Sequence, residues 1–202
     1  MHPLDWSSRS VWLFDLDGTL TIPVHDFAHA RAVLGIPTGA DILHTLAARP
    51  PAERLEAERW LRAWELDLAD HTGLQPDAQA LLTHLHRAGC RFGILTRNTR
   101  EVALRTLDAI GLRSRFDDHL VLGRTCAPPK PHPAGIRLLL DRLHATPDRA
   151  VMVGDYLHDV RAGRAAGTAT VLVRRKSERG WEGEADLVVD HLWPLDAHLP
   201  GP

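Results

Sequence analysis

Residues 11–21 read VWLFDLDGTLT, an apolar run that leads directly into two aspartates and a glycine. The first four of these residues are β-branched, aromatic or aliphatic, which favours a strand buried on both faces, as in a parallel sheet. Asp15 follows at the carboxyl end of that strand, where open α/β sheets bind ligands. Asp17 comes two residues later, and Gly18 permits a tight turn and a close approach of the backbone to a ligand. A simple turn at Asp17 would not require Asp15.

The composition is that of a globular protein. The 202 residues suffice for one domain, or for one domain with a small insertion. Hydrophobic residues make up 44% of the chain and charged residues 25%. The formal net charge of -2 gives no electrostatic basis for binding nucleic acid, and the basic cluster at residues 174–176 is too short to supply one.

The sequence also predicts where the protein resides. No apolar run approaches the roughly 20 residues of a transmembrane helix, and the first ten residues lack the apolar core of a signal peptide. Cys90 and Cys126 form no CxxC motif, which predicts free thiols in a reducing compartment. We therefore expect a cytoplasmic protein, monomeric or homodimeric, with neither a membrane nor a nucleic acid as its partner.

Residues 26–72 carry only helical patterns. Asp26 is a candidate N-cap for a helix that ends at Leu34, and Thr38 for a second helix that ends near Pro50. Pro51 suits the first turn of a third helix that runs to about residue 71, in which we expect the tryptophans to pack. A block of helices between one strand and the rest of an α/β pattern predicts a helical insertion, residues 23–73. The remaining residues, 1–22 and 74–202, would then form the main domain.

The α/β alternation resumes at residue 76. Predicted helices cover residues 78–88, 99–110, 133–144 and 157–166. Predicted strands cover residues 91–96, part of 116–122, 150–153, 169–173 and 186–189, with a polar loop at 174–184. Strands that alternate with helices of about ten residues predict βαβ units and therefore an α/β, Rossmann-like parallel sheet flanked by helices.

Polar side chains follow four of these strands and should meet, because the carboxyl ends of parallel strands lie at one edge of the sheet. They are Asp15 and Asp17, then Thr96, Arg97 and Asn98, then Lys130, and finally Asp155 and Asp159. Several carboxylates, a hydroxyl and a lysine at one place suit phosphoryl transfer. Carboxylates bind Mg²⁺, and such oxygen ligands accept Mn²⁺ as well. Lys130 would offset negative charge, and Thr96 with nearby backbone N–H groups would hold phosphate oxygens.

Four motifs in order, DLDGTLT, ILTRN, KPHP and VGDYLHD, resemble those of the haloacid dehalogenase superfamily, in its phosphatase branch with a helical cap. The resemblance covers nearly the whole chain. It implies that Asp15 is the nucleophile of an aspartyl-phosphate mechanism and that Asp17 is the general acid and base. It further implies phosphate binding by Gly18, Thr96, Arg97, Asn98 and Lys130. Metal binding is implied for Asp15, Asp155 and Asp159, with Asp17 contributing through a nearby carbonyl oxygen.

Asp17 is also the residue that distinguishes phosphatases from dehalogenases, which resemble this chain but lack an acid/base aspartate there. A phosphonatase would need a lysine in the cap, and residues 26–72 contain none. The short cap is similar to that of phosphoglycolate-phosphatase-like enzymes of subfamily IA. The resemblance implies a Mg²⁺-dependent phosphatase acting on a small phosphorylated metabolite. A phosphomutase, or a binding protein of the same fold without activity, stays open.

Substrate choice in this superfamily depends largely on the cap. The cationic and potentially cationic candidates there are His25, Arg31, His44, Arg49 and Arg54. A cation in the cap would favour a substrate with a second anionic group, such as a carboxylate. We expect substitution of Arg49 or Arg54 to change the substrate profile.

Overall fold

The computed structural model describes residues 5–174 and 180–193, without the side chain of Glu182. Two residues of the basic cluster, Arg175 and Lys176, therefore lie outside the described residues, as does part of the predicted loop 174–184. Within the described residues, six strands form one parallel sheet. They are β1 (Val11–Phe14), β2 (Arg91–Leu95), β3 (Val121–Leu122), β4 (Ala150–Gly154), β5 (Ala169–Val173) and β6 (Leu187–Val189). Their order across the sheet is β3-β2-β1-β4-β5-β6.

Strand β1 lies at the centre of the sheet, paired with β2 on one side and with β4 on the other. All four of its residues are buried, because both faces of the sheet are covered. Trp12 and Phe14 face one apolar cluster, whereas Val11 and Leu13 face the other. The predicted fold class, a Rossmann-like α/β sheet flanked by helices, is confirmed.

In the part of the chain that the structure describes, four helices cover the two faces of the sheet. They are α4 (Ala78–Arg87), α5 (Arg100–Ala109), α6 (Ala134–Arg142) and α7 (Leu157–Ala166). Leucines of α4 and α5 pack in the cluster of Trp12, and those of α6 in the cluster of Leu13. Thr99 caps α5 by accepting a hydrogen bond from the N–H of Val102, which places the start of this helix directly after the polar residues that follow β2.

The helical insertion contains α1 (Phe27–Val33), α2 (Ile42–Ala47) and α3 (Pro51–His71), which share an apolar cluster of their own. Trp60 and Trp64 stack on each other and pack against that cluster, as expected. An isolated antiparallel bridge between Thr21 and Leu74 joins the two chain segments that enter and leave the insertion. The two chain segments that link the insertion to the main domain therefore lie side by side.

The prediction that Thr38 caps the second helix is wrong. The helix begins later, and its N-cap is Asp41, whose carboxylate accepts a hydrogen bond from the N–H of His44 at 2.9 Å. Gly39 has a φ of +81°, so the chain turns between Thr38 and Asp41 and cannot be helical there. The correction places a carboxylate, in place of a hydroxyl, at the start of α2.

The insertion also contacts the main domain through α3, which packs beside α5. Two exposed ion pairs join these helices, Arg62 with Glu101 and Arg105 with Asp70. Within the described part of the chain, no helix is both long enough and apolar enough to cross a membrane.

Candidate active site

Three buried charged side chains lie at the carboxyl edge of the sheet. Asp15 directly follows β1, and its backbone N–H continues the ladder to β4 by donating to Val153 O at 2.9 Å. Lys130, from the loop after β3, places its Nζ 2.6 Å from Oδ1 of Asp15 and 2.6 Å from Oδ1 of Asp159. Lys130 and Asp159 are each 2% exposed. One lysine therefore bridges two carboxylates that come from different strand ends.

The electrostatics of this group follow from its burial. Burial raises the pKa of Asp15 well above its usual value, Lys130 opposes this, and Asp159 and Asp155 raise that pKa further. Burial lowers the pKa of Lys130, but Asp15 and Asp159 outweigh it, so the pKa of the lysine lies above its ordinary value. Lys130 is thus held as a cation, and additional positive charge would favour ionised Asp15.

The carboxylates of Asp15, Asp155 and Asp159 have oxygen atoms that all lie within 4.8 Å of one another. Three oxygen donors beside a buried lysine fit a hard divalent cation, which prefers such ligands. The side chain of Asp17 does not belong to this group of three. Its predicted contribution through a backbone carbonyl stays a prediction.

Two glycines make the close approach of these carboxylates compatible with the backbone. Gly18 has a φ of +83°, and a Cβ atom at this position would lie 2.6 Å from Oδ2 of Asp155. A Cβ atom on Gly154 would overlap with the side chain of Asp159. Glycine is therefore required on both sides of the carboxylate group.

Asp17 is oriented by its own set of partners. Its Oδ2 accepts hydrogen bonds from Nδ2 of Asn98 at 2.8 Å and from Oγ1 of Thr96 at 3.3 Å. Nε2 of His25 lies 3.8 Å from Oδ1 of Asp17. Thr96 and Asn98, which the sequence predicts to bind phosphate, are thus placed beside the predicted acid and base.

A cavity of about 360 Å³ lies between these residues and the insertion. The predicted site residues all line it: Asp15, Asp17, Gly18, Thr96, Arg97, Asn98, Lys130, Asp155 and Asp159. Four polar side chains that line the cavity were not predicted from the sequence, namely Asp41, Glu65, Tyr156 and His158. The motif VGDYLHD contains Tyr156 and His158 and could have indicated them, whereas no local pattern marks Asp41 or Glu65.

Asp41 connects the insertion to the main domain inside this cavity. Nη2 of Arg97 lies 2.8 and 2.7 Å from the two carboxylate oxygens of Asp41. Nε2 of His158 lies 3.3 Å from Oδ2 of the same carboxylate. Hydrogen bonding from His158 lowers the pKa of Asp41, burial opposes this, and the N–H of His44 and the guanidinium of Arg97 lower that pKa further.

A second connection lies deeper. Glu65 of α3 is 5% exposed, and both of its carboxylate oxygens accept hydrogen bonds from Arg124, at 2.8 and 2.9 Å. Arg124 also donates to the carbonyl oxygen of Arg97 at 2.9 Å. Burial raises the pKa of Glu65 to about 7, although Arg124 opposes this shift.

The candidate cap residues divide into two groups. His25 and Arg31 line the cavity, whereas His44, Arg49 and Arg54 are not among its lining residues. Arg49 donates to the carbonyl oxygen of Leu34, and Arg54 pairs with Glu58 on the exposed face of α3. The structure therefore gives no support to the expectation that Arg49 or Arg54 selects the substrate.

Comparison with known proteins identifies the family. The family model for haloacid dehalogenase-like hydrolases matches residues 11–167, which include the strand β1, the insertion and all of the residues named above for the carboxylate group. This chain belongs to that family. The predicted family and the prediction of an enzyme are thereby confirmed. The three carboxylates belong to the motifs DLDGTLT and VGDYLHD, which carry the resemblance to the superfamily.

Similar proteins span most of the hydrolase. A haloacid dehalogenase-like hydrolase domain-containing protein of Arabidopsis thaliana is 32% identical, with 90% of this chain and 76% of that protein covered. The N-acetylmuramic acid 6-phosphate phosphatase of Pseudomonas putida is 30% identical, with 91% and 92% covered. The phosphoglycolate phosphatase of Rhodospirillum rubrum is 30% identical, with 80% and 78% covered.

Solved structures show the same fold. CbbY from Rhodobacter sphaeroides, in complex with phosphate, matches the hydrolase with a TM-score of 0.70 at 24% identity, covering 93% of this chain and 96% of that one. A haloacid dehalogenase-like hydrolase of Streptococcus pneumoniae matches with a TM-score of 0.71 at 21% identity, covering 92% and 95%. At these identities the likeness concerns the fold.

Proposed function

We propose that the hydrolase is a Mg²⁺-dependent phosphatase that cleaves a small phosphate monoester through an aspartyl-phosphate intermediate. The observation that carries this proposal is the position of Asp15. Its carboxylate lies 2.6 Å from Nζ of Lys130 and within 4.8 Å of carboxylate oxygens of Asp155 and Asp159. The relatives named as phosphatases support the same reaction class.

In the first half of the reaction, a carboxylate oxygen of Asp15 attacks phosphorus and the bond from phosphorus to the ester oxygen breaks. Asp17 gives its proton to that oxygen, so the leaving group departs as a neutral alcohol. In the second half, Asp17 takes a proton from water as the water attacks the phosphorus of the aspartyl phosphate. Inorganic phosphate leaves, Asp15 is restored as a carboxylate and Asp17 is again protonated.

The residues around Asp17 suit this exchange of a proton. Asn98 and Thr96 both donate to its Oδ2, which leaves Oδ1 on the side of His25. A carboxyl held in one orientation can present the same oxygen to the leaving group and later to water. Thr96 and Asn98 are therefore proposed to position Asp17 as well as to contact the phosphate.

Asp15, Asp155 and Asp159 would hold the metal, for which either Mg²⁺ or Mn²⁺ is suitable. When bound, the metal supplies positive charge that offsets the charges of the nucleophile and of the phosphate. Lys130 supplies fixed positive charge at Oδ1 of Asp15 and orients Asp159. The two cations together would allow an anionic nucleophile to approach an anionic phosphate.

We propose that the insertion acts as the cap of this active site. Its residues close one side of the cavity, whose volume of about 360 Å³ limits the substrate to a small metabolite. Enclosure also excludes water other than the molecule used in hydrolysis. A monomer or homodimer in the cytoplasm, as expected from the sequence, is part of this proposal.

Hydrolysis of an aryl phosphate, with and without Mg²⁺, tests the proposal. We expect metal-dependent release of phosphate by the wild type and at least about a thousandfold loss in Asp15→Asn, because the amide cannot act as the nucleophile. Full activity of Asp15→Asn would refute the assignment. Transfer of the phosphoryl group to a second hydroxyl of a sugar phosphate, in place of water, would indicate a phosphomutase. Phosphate binding without turnover would indicate a binding protein.

A further inference from the structure

The wall of the cavity that would surround the leaving group differs from the wall around Asp15. Apolar side chains from the insertion, Phe27, Ile42, Leu43 and Leu61, form part of it. Charged side chains of the same wall are already joined into pairs across the boundary of the insertion. The chemistry of those pairs limits which leaving groups fit.

Asp41 lines the cavity beside an arginine and a histidine, two side chains that can bind an anion. It lies between Arg97 and His158, which directly follow Thr96 and directly precede Asp159 in the chain. Both side chains line the cavity, and each is adjacent in the chain to a residue proposed to bind the phosphate or the metal. Both contact the carboxylate of Asp41 at 3.3 Å or less.

The carboxylate of Asp41 is also anchored from its own side. Its Oδ1 accepts the N–H of His44 and so caps α2, and its backbone oxygen accepts a hydrogen bond from Thr45. Rotation of this carboxylate away from Arg97 would leave the first turn of α2 uncapped. Displacement by a substrate anion is therefore opposed by two sets of contacts.

Arg31 also lines the cavity, and its guanidinium is engaged too. Arg31 donates from Nε to Ala40 O and from Nη1 to Phe27 O, within the insertion. Glu65, a second carboxylate of the wall, binds Arg124 through both of its oxygens. A carboxylate or a second phosphate on the substrate would therefore meet two protein carboxylates, whereas Arg97, Arg31 and Arg124 are each engaged with other groups of the protein.

We propose that Asp41 is a specificity-determining residue, which selects phosphate monoesters with an uncharged leaving group, such as a polyol or a sugar, and rejects those with a second anionic group. This inference rests on the proposed phosphatase function. It narrows that function, because the expected substrate of this chain then differs from the one in the name of its relative, phosphoglycolate phosphatase. The physical basis is repulsion between like charges at short range in a partly buried site.

Matched pairs of substrates test the inference. Glycerol 3-phosphate carries a hydroxymethyl group where 3-phosphoglycerate carries a carboxylate, and the two are otherwise identical. The second pair, 2-hydroxyethyl phosphate and phosphoglycolate, differs in the same way. We expect the kcat/KM of the wild type to be at least about tenfold higher for the neutral member of a pair. In Asp41→Asn this preference should fall at least about tenfold, because Arg97 and His158 become available to the carboxylate of the substrate. The asparagine still caps α2.

Asp70→Asn is the matched control, since Asp70 also joins the insertion to an arginine of the main domain but pairs with Arg105 at the surface. It should keep the wild-type preference. Asp41→Ser, which also retains an N-cap, provides a second variant if Asp41→Asn does not fold. Equal or better use of the anionic member by the wild type would overturn the inference. So would an unchanged preference in the folded Asp41 variants, or turnover of an aryl phosphate but of no neutral member.

Failure of the proposed function has a different outcome. In that case the wild type would hydrolyse neither the aryl phosphate nor any substrate of the two pairs, at saturating Mg²⁺. The ratio of the two kcat/KM values within a pair is insensitive to errors in the concentration of active enzyme. The ratio therefore reports the selectivity of the wall separately from the catalytic activity.

Discussion

Arg124 donates two hydrogen bonds to the carboxylate of Glu65, at 2.8 and 2.9 Å, and so binds the loop after β3 to the longest helix of the insertion. The pair is nearly inaccessible to solvent, and Glu65 is 5% exposed. A buried ion pair with good geometry fixes the relative position of two elements. Removing one partner destabilises the folded state, because the other charge is left buried and unpaired. This pair and the pair of Asp41 with Arg97 are two of the places where the insertion meets the candidate active site.

The raised pKa of Glu65 predicts a pH dependence. Burial raises its pKa from 4.5 to about 7, so between these values the folded state binds more protons at this site than the unfolded state. The contribution of Glu65 to the free energy of unfolding should therefore fall as pH rises from 4.5 through 7, by up to about 3 kcal/mol. Urea unfolding of the wild type and of Glu65→Gln at several pH values measures it.

The difference between those two proteins isolates the titration of Glu65 from that of the other carboxyls. We expect Glu65→Gln to gain stability relative to the wild type as pH rises across this range. A difference that does not vary with pH would contradict the raised pKa. The double variant Arg124→Gln with Glu65→Gln controls for the loss of the partner charge.

Gly154 provides a steric prediction. A Cβ atom there would overlap with the side chain of Asp159, so Gly154→Ala should displace a carboxylate of the proposed metal site. We expect a loss of kcat/KM of about a hundredfold or more and a destabilisation of about 1–3 kcal/mol. Gly183→Ala is the matched control, because no atom lies within 4 Å of a Cβ there. Aryl phosphate kinetics and thermal unfolding measure the two effects. Equal behaviour of the two variants would contradict the close packing of Gly154 against Asp159.

Asp17→Asn should separate the two halves of the reaction. A substrate with a good leaving group, such as a dinitrophenyl phosphate, needs no proton from Asp17 in the first step, whereas attack of water still needs a base. The variant should therefore accumulate phosphorylated protein, detected by intact-mass spectrometry as the addition of one phosphoryl group. Asp67→Asn, at an exposed position of α3, should not accumulate it. Absence of the adduct from Asp17→Asn would argue against its role as the base.

Metal binding should be visible without turnover. A ligand that binds only the folded state stabilises it, by about 2.7 kcal/mol at a concentration one hundred times the Kd. We expect saturating Mg²⁺ to raise the Tm of the wild type by about 5–10 °C and to raise that of Asp155→Asn by much less. Asp70 pairs with Arg105 at the surface and is not one of the three clustered carboxylates, so Asp70→Asn should respond like the wild type. An equal rise in all three proteins would mean that the metal binds elsewhere.

The local elements of this hydrolase were predictable from sequence because their signals are local. The apolar run of β1 and the helix from Leu157 to Ala166 were both expected at or near the observed positions. The polar residues after the strands were expected to meet, since parallel strands place their carboxyl ends at one edge. The structure brings all of these residues to one cavity.

What only the tertiary structure decided is how the insertion meets that edge. Thr38 and Asp41 are both suitable N-cap residues, and only the positive φ of Gly39 shows that the helix begins at the second. Asp41 and Arg97 are 56 residues apart, and Glu65 and Arg124 are 59 apart. Their pairing depends on the orientation of one packed unit on another, which leaves no periodic or neighbouring signal in the chain. The sequence by itself therefore determined the sheet, its flanking helices and the polar residues at its carboxyl edge, whereas the pairing of Asp41 with Arg97 was decided by packing.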